Sequence, residues 1–146
     1  MKYNYTKFDN PQEPAKPNFR PLLPVTLVGN NGKSKNVVAL IDSGADVSLA
    51  HADIGRLLDI DIQTGRVWNY GGSVDKQQGT AYIHRLHLIL TNHSSIDIEI
   101  GFTDEVADGI FLIGQRDFFQ KYEVHFYLRK GYFDIINTKD KGYGHH

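Results

Sequence analysis

Val37-Val38-Ala39-Leu40-Ile41-Asp42-Ser43-Gly44-Ala45-Asp46-Val47-Ser48-Leu49 sets the reading of the whole chain. Five apolar residues run into a carboxylate, then a hydroxyl residue, then the small pair Gly44-Ala45. So short a run of β-branched and aliphatic residues, bounded by turn-forming ones, reads as a buried strand. The strand delivers Asp42 into a loop at the rim of a core. Ser43 can bond to backbone there and lock the loop, and Gly44 lets another backbone come close because it has no Cβ. Asp-Ser-Gly is equally the composition of an ordinary turn, so the rest of the chain must decide between a turn and a site.

Outward from this stretch the pattern is one of short strands. Residues 25–28 and 37–41 flank Gly29-Asn30-Asn31-Gly32, and Asn-Gly predicts a hairpin because both residues tolerate positive φ. Tyr82, His84, Leu86, Leu88 and Leu90 alternate, and Ile96, Ile98, Ile100 and Phe102 do so beyond a turn at residues 92–95. Val124, Phe126 and Leu128 repeat the period, and Gly131 marks a turn before a strand at 132–136. A period of two means one buried face per strand. Residues 49–58 break the pattern and predict a short helix, capped by Ser48, with Ile54, Leu57 and Leu58 clustered on it. Residues 115–121 predict a second. The expected fold is all-β, a small closed β-barrel with one or two short helices.

All five prolines, Pro11, Pro14, Pro17, Pro21 and Pro24, lie near the start of the chain. They remove helix and ladder hydrogen bonds. Residues 1–18 are therefore expected to form an extended, solvated arm, although Tyr3, Tyr5 and Phe8 offer docking groups. Residues 19–137 form the domain and 138–146 a tail.

The 146 residues suffice for one domain with its own core. Sixteen basic against seventeen acidic residues give no electrostatic reason to expect nucleic acid or an anionic membrane as partner. The absence of cysteine excludes a disulfide scaffold, a thiolate nucleophile and any Cys-based metal site. Met1-Lys2-Tyr3-Asn4-Tyr5 lacks the apolar stretch of a signal peptide, and no run approaches membrane-spanning length, so a cytoplasmic location is expected.

Other motifs carry no chemistry. Gly29-Asn30-Asn31-Gly32-Lys33-Ser34 suggests a phosphate loop, but the glycine spacing is too short and a strand follows where a helix is required. His84 and His87 stand three apart on a strand and face opposite ways, so they cannot share a metal ion. Asn4-Tyr5-Thr6 and Asn92-His93-Ser94 would be glycosylation sequons only in a secreted protein.

The stretch around Asp42 resembles the active-site motif of aspartic proteases, apolar-apolar-Asp-Ser/Thr-Gly-Ala, and in particular that of the single-domain retropepsins. Gly109-Ile110-Phe111-Leu112-Ile113-Gly114-Gln115-Arg116-Asp117-Phe118-Phe119 is similar to the family's second block, an apolar pair and Gly followed by Arg and a helix. Gln115 separates Gly114 from Arg116, a departure from the family pattern. Val67-Trp68-Asn69-Tyr70-Gly71-Gly72-Ser73-Val74 fits a flap hairpin between the blocks.

The resemblance implies the acid-protease barrel as a homodimer and a peptide-hydrolysing activity without metal or cofactor. It makes Asp42 catalytic and Ser43 and Gly44 its loop support. Gly44, Ala45 and Asp46 form the floor, with Tyr70, Gly71, Gly72 and Ser73 above an extended peptide or unfolded-protein substrate. Gly114 and Arg116 give structural support, Arg116 through an ion pair with Asp46. Strands such as residues 132–136 interleave at the dimer interface. The chain holds no second Asp-Ser/Thr-Gly, so the second carboxylate must be Asp42 of another copy. Two other readings exist: a catalytically silent peptide-binding or dimerisation module on the same fold, and an unrelated β-barrel binder in which Asp-Ser-Gly is only a turn.

Overall fold

A computed structural model describes residues 1–71 and 78–137. In chain order the strands are β1 (Lys2–Asn4), β2 (Thr6–Phe8), β3 (Asn18–Arg20), β4 (Leu22–Val28), β5 (Ser34–Ile41) and β6 (Ser48–His51). The helix α1 (Ala52–Arg56) comes next. Then follow β7 (Arg66–Tyr70), β8 (Gly79–Ile89), β9 (Ser95–Thr103), β10 (Phe111–Ile113), β11 (Tyr122–Tyr127) and β12 (Tyr132–Asn137).

Seven strands form one sheet in the order β4-β5-β10-β6-β9-β8-β7, and β4 also pairs with β8. That extra pairing closes six of them into a barrel with β7 outside it. The expected closed all-β barrel is therefore the observed fold. Local hairpins build most of it. β4 and β5 pair in the register Val25↔Val37, joined by a turn in which Gly32 has φ of +82°. β8 and β9 pair from Tyr82↔Phe102 to Ile89↔Ser95. Two parallel pairings bring distant segments together: β5 with β10, and β6 with β9. The core holds Leu23, Leu27, Leu88, Ile98, Ile100, Phe102, Phe111, Ile113 and Phe118, all essentially without solvent exposure.

β8 changes its buried face along its length. Ala81 and Ile83 are buried in its first half, Leu86 and Leu88 in its second. The long twisted strand packs first on one side of the barrel wall and then on the other. Simple alternation from Tyr82 captures only the second half.

Three local expectations are corrected. The helix expected over 49–58 starts only at Ala52, because Ser48–His51 is a fully buried strand between β9 and β10. Ser48 does not cap it; His51 does, with Nδ1 accepting the Asp53 N–H at 3.0 Å. The helix expected over 115–121 is a single irregular turn. Arg116 is extended there, with ψ of 134°, and Asp117 has φ of +70°. Side-chain bonds compete with helix at this point: the Asp117 N–H donates to Gln120 Oε1 at 3.0 Å, and Asp117 Oδ2 accepts the Glu99 N–H at 2.8 Å.

The start of the chain is strand-paired, and most of it stays exposed to solvent, β2 and β3 throughout. β1 adds to β12 with Tyr3 opposite Phe133, and β2 pairs with β3. Tyr3 stacks on Phe133 at 5.5 Å and Tyr5 meets it edge-on at 5.7 Å. Burial pushes the Tyr5 phenol up. Pro11, Pro14 and Pro17 fall between β2 and β3, where no ladder is interrupted. A separate three-stranded sheet results, ordered β1-β12-β11. Among the described residues no helix is long and apolar enough to cross a membrane.

Candidate active site

β5 carries the apolar run into the barrel wall and ends at Ile41, so Asp42 is the first residue beyond the ladder. It stays tied to the wall, because its N–H donates to Ile113 O at 2.9 Å, continuing the parallel β5–β10 pairing. The chain then turns. The Gly44 N–H donates to Asp42 Oδ1 at 3.0 Å, and the Ala45 N–H to Asp42 O at 3.2 Å. This is the Asx-type turn that Asp-Ser-Gly favours. Asp42 is half-buried while Ser43 and Gly44 are exposed, so a carboxylate is presented on a rim of backbone that solvent or a second molecule can reach.

A second loop, residues 113–116, grips the first. Besides the Asp42 bond, the Gln115 N–H donates to Ala45 O at 2.8 Å and the Arg116 N–H to Asp46 O at 2.9 Å. The Gly114 N–H donates to Ser48 Oγ at 3.0 Å, and Gln115 Nε2 to Ser43 O at 2.6 Å. The loops lie so close that a Cβ on Gly114 would stand 2.6 Å from Ala45 O and 2.9 Å from the Val47 carbonyl carbon. Both neighbours are backbone and cannot swing away, so only glycine fits.

Sequence reasoning places Asp42, Ser43, Gly44, Ala45, Asp46, Gly114 and Arg116, and the structure brings all seven together. It missed Ser48 and Gln115. Ser48 looked like a helix cap, and its burial follows only from strand pairings that local sequence does not show. Gln115, the departure from the family pattern, supplies the amide that holds the Ser43 carbonyl.

Arg116 reaches Asp46 through its backbone. Its guanidinium lies 3.8 Å from Glu99 and 5.1 Å from the centre of the Trp68 ring, in place of the expected ion pair with Asp46. The residue inserted before it and the turned backbone at Asp117 redirect the side chain. Trp68 belongs to β7, so the Arg116–Trp68 contact joins the floor loop to the β7–β8 hairpin. That hairpin pairs from Arg66↔Ile83 to Tyr70↔Gly79 and carries Tyr70 to its end, with Gly71 at φ of +89°. Gly72 and Ser73 lie outside the described residues, as do Val74 and the tail 138–146.

Two other features lie apart from this loop pair. An apolar cavity of about 350 Å³, lined by Pro24, Val25, Val37, Val38, Ile89 and Leu90 among others, contains none of the predicted residues. His51, Asp53 and Asp108 bring potential metal-ligand atoms within 4.8 Å of one another. His51 is already engaged on both nitrogens. Nδ1 accepts the Asp53 N–H, which leaves the proton on Nε2, 3.1 Å from Asp108 Oδ1. Arg56 binds Asp53 and both oxygens of Asp104 beside them, and holds the Asp104 carboxyl below its usual range. The group is a hydrogen-bonded cap on α1.

No known family model matches the chain, and no curated protein matches its sequence. Solved structures do. A retropepsin-like aspartic protease from Rickettsia conorii aligns over 92% of this chain and 90% of its own, at a TM-score of 0.56 and 12% identity. EIAV protease complexed with the inhibitor HBY-793 aligns over 66% of this chain and 82% of its own, at a TM-score of 0.46 and 20% identity. The fold of this chain is retropepsin-like.

Proposed function

We propose that this chain is an aspartic endopeptidase whose site is completed by a second copy, with Asp42 of each protomer forming one dyad. One observation carries the reading: a single Asp-Ser-Gly carboxylate, locked by a second loop, stands at the rim of a retropepsin-like barrel. A two-fold axis past this rim brings the two carboxylates together.

Two carboxylates at short range share one proton. The ionised member takes a proton from a bound water, which attacks the scissile carbonyl. The protonated member donates to the carbonyl oxygen as that oxygen gains charge. The products are a carboxylic acid and an amine, with no covalent intermediate. Five hydrogen bonds between residues 113–116 and residues 42–48 fix the backbone that carries Asp42, and the Gly44 N–H holds its Oδ1, which is the positioning such a step requires.

An extended peptide or unfolded protein is the substrate class. It adds as a strand over Gly44, Ala45 and Asp46, through backbone hydrogen bonds. Tyr70 and Gly71, at the end of β7, cover it from the β7–β8 hairpin. Ser43, on the exposed side of the turn, faces the partner copy across the axis.

The test is cleavage of an unstructured peptide library by the purified chain, on the acid side of neutrality. The chain cleaves it and Asp42→Asn abolishes cleavage with the fold intact by circular dichroism. Equal cleavage by the Asn variant removes the proposal.

A further inference from the structure

Three guanidinium groups gather on one carboxylate beside the floor loop. Glu99, in β9, has only 16% of its side chain exposed, and Arg66 Nη1 donates to its Oε2 at 3.3 Å. Arg85 Nη2 lies 3.9 Å from the same oxygen, and Arg116 Nη1 lies 3.8 Å from Oε1. Strand register brings them together. Arg66 stands opposite Ile83, and Arg85 opposite Glu99, so residues 66, 83, 85 and 99 share one face of the β7-β8-β9 sheet. Arg116 reaches this face from the floor loop, where its N–H holds Asp46 O. Its guanidinium lies 5.1 Å from the centre of the Trp68 ring, which keeps the group in place.

One carboxylate is too little acceptor for three arginines. Among the described residues, Glu99 is the only carboxylate within ion-pair distance of any of them. Asp97, next along the same face, is held by His87 at 3.0 Å, and Asp117 uses Oδ2 on the Glu99 N–H. Glu99 is covered, whereas the side chains of Arg66 and Arg85 are 59% and 58% exposed. Only the Arg66 contact is short enough for a hydrogen bond, so the three forks keep most of their N–H donors for another acceptor. A planar guanidinium fork matches a carboxylate through two parallel bonds.

We propose that Arg66, Arg85 and Arg116 form a recognition site for an acidic side chain of the peptide substrate, at the outer end of the cleft. Resting on the protease reading above, such a site adds a substrate class to it: extended peptides that carry Asp or Glu away from the scissile bond. Tyr70, Trp68 and Arg66 are alternate residues on one face of β7, so the face that covers the substrate at Tyr70 reaches the cluster at the start of the same strand. A peptide lying along this span at about 3.3 Å per residue places the acid about four residues from the centre of the cleft. Arg116 marks the same end from the floor, through its bond to Asp46. A two-fold site carries one cluster at each end, so an acid near either end of the peptide is favoured. Its carboxylate takes the donors that Glu99 leaves unused and offsets the repulsion among three cations, whereas a lysine there adds a fourth.

The test uses the full chain and an unstructured peptide library of about ten residues, long enough to reach both clusters, made with Glu, Gln or Lys fixed near each end. The parent is expected to cleave the Glu form with kcat/KM about tenfold above the Gln form, and the Lys form more slowly still. In the double variant Arg66→Gln, Arg85→Gln the Glu-to-Gln ratio falls to within about twofold; because the ratio is taken within one protein, a general loss of activity cancels. Binding to the Asp42→Asn chain, measured by calorimetry, gives the same preference without turnover. Equal handling of the three forms by the parent, a ratio unchanged in the double variant, or a chain that binds none of them overturns the proposal. Cleavage without preference keeps the protease and removes the arginine site. A Glu preference in binding, lost in the double variant, from a parent that cleaves nothing keeps the arginine site and removes the protease.

Discussion

Replacing Ser48 by alanine removes one oxygen from a place where nothing can replace it. Ser48 has no solvent exposure, and its Oγ accepts the buried Gly114 N–H at 3.0 Å. The substitution leaves that donor without a partner in a tightly packed interior, which costs about 1–3 kcal/mol. For a chain of this size the melting temperature falls by roughly 4 °C per kcal/mol, so a decrease of about 4–12 °C is expected in differential scanning calorimetry. The bond also fixes how the 113–116 loop lies on the 42–46 loop. A displacement of a few tenths of an ångström there lowers turnover by about tenfold, measured as kcat on a cleavable peptide at a temperature where the variant is fully folded. Thr26→Ala is the control. It removes the Thr26 Oγ1 bond to Asn36 Oδ1 at 2.7 Å, but at the surface, where water takes over, so the effect stays within about 0.5 kcal/mol. A Ser48→Ala chain that melts and turns over like the parent would refute the claim that this hydroxyl locks the two loops.

Two further substitutions test other parts of the structure. Gly114→Ala drives a Cβ to 2.6 Å from Ala45 O; the forced separation costs about 3 kcal/mol or more and eliminates cleavage, and a variant with parental melting and turnover contradicts it. Arg56→Gln tests the acid limb of stability. Arg56 hydrogen-bonds Asp104 and lowers its carboxyl below the ordinary value of 3.8, so the stabilisation is fully present above that value and is lost as pH falls through the lower, folded value. The parent should outlast the variant at neutral pH, and their melting temperatures should converge on strong acidification; a difference independent of pH sinks this assignment.

What the sequence discloses and what it hides divide along sequence separation. The β4–β5 and β8–β9 hairpins were readable because turn chemistry and alternation lie within one short segment. The Asp42 loop was readable for the same reason: the apolar run, the carboxylate and the Asx turn are contiguous. β6 reads as the start of a helix because Ser48 resembles a cap and Ile54, Leu57 and Leu58 cluster beyond it, while the strands that bury Ser48–His51, β9 and β10, come much later in the chain. The prolines at the start of the chain are local and predict an arm without strands, whereas Phe133, the ring on which Tyr3 and Tyr5 pack, lies at the opposite end of the domain. Of the site, the residues that present chemistry could be named from their own segment. The hydroxyl of Ser48 and the amide of Gln115 cannot, because each acts on a loop that only the pairing of β10 with β5 and β6, far apart in sequence, brings within reach.

The central claim is that one active unit requires Asp42 from two chains. Mixing parent and Asp42→Asn protein, with time for subunits to exchange, tests it directly through the rate of peptide cleavage at fixed total protein. If both carboxylates are needed, only parent–parent dimers work, and an equal mixture retains about one quarter of the parent rate. Retention of about one half, a linear fall with the parent fraction, would show that each chain acts through its own Asp42 and would contradict the shared dyad.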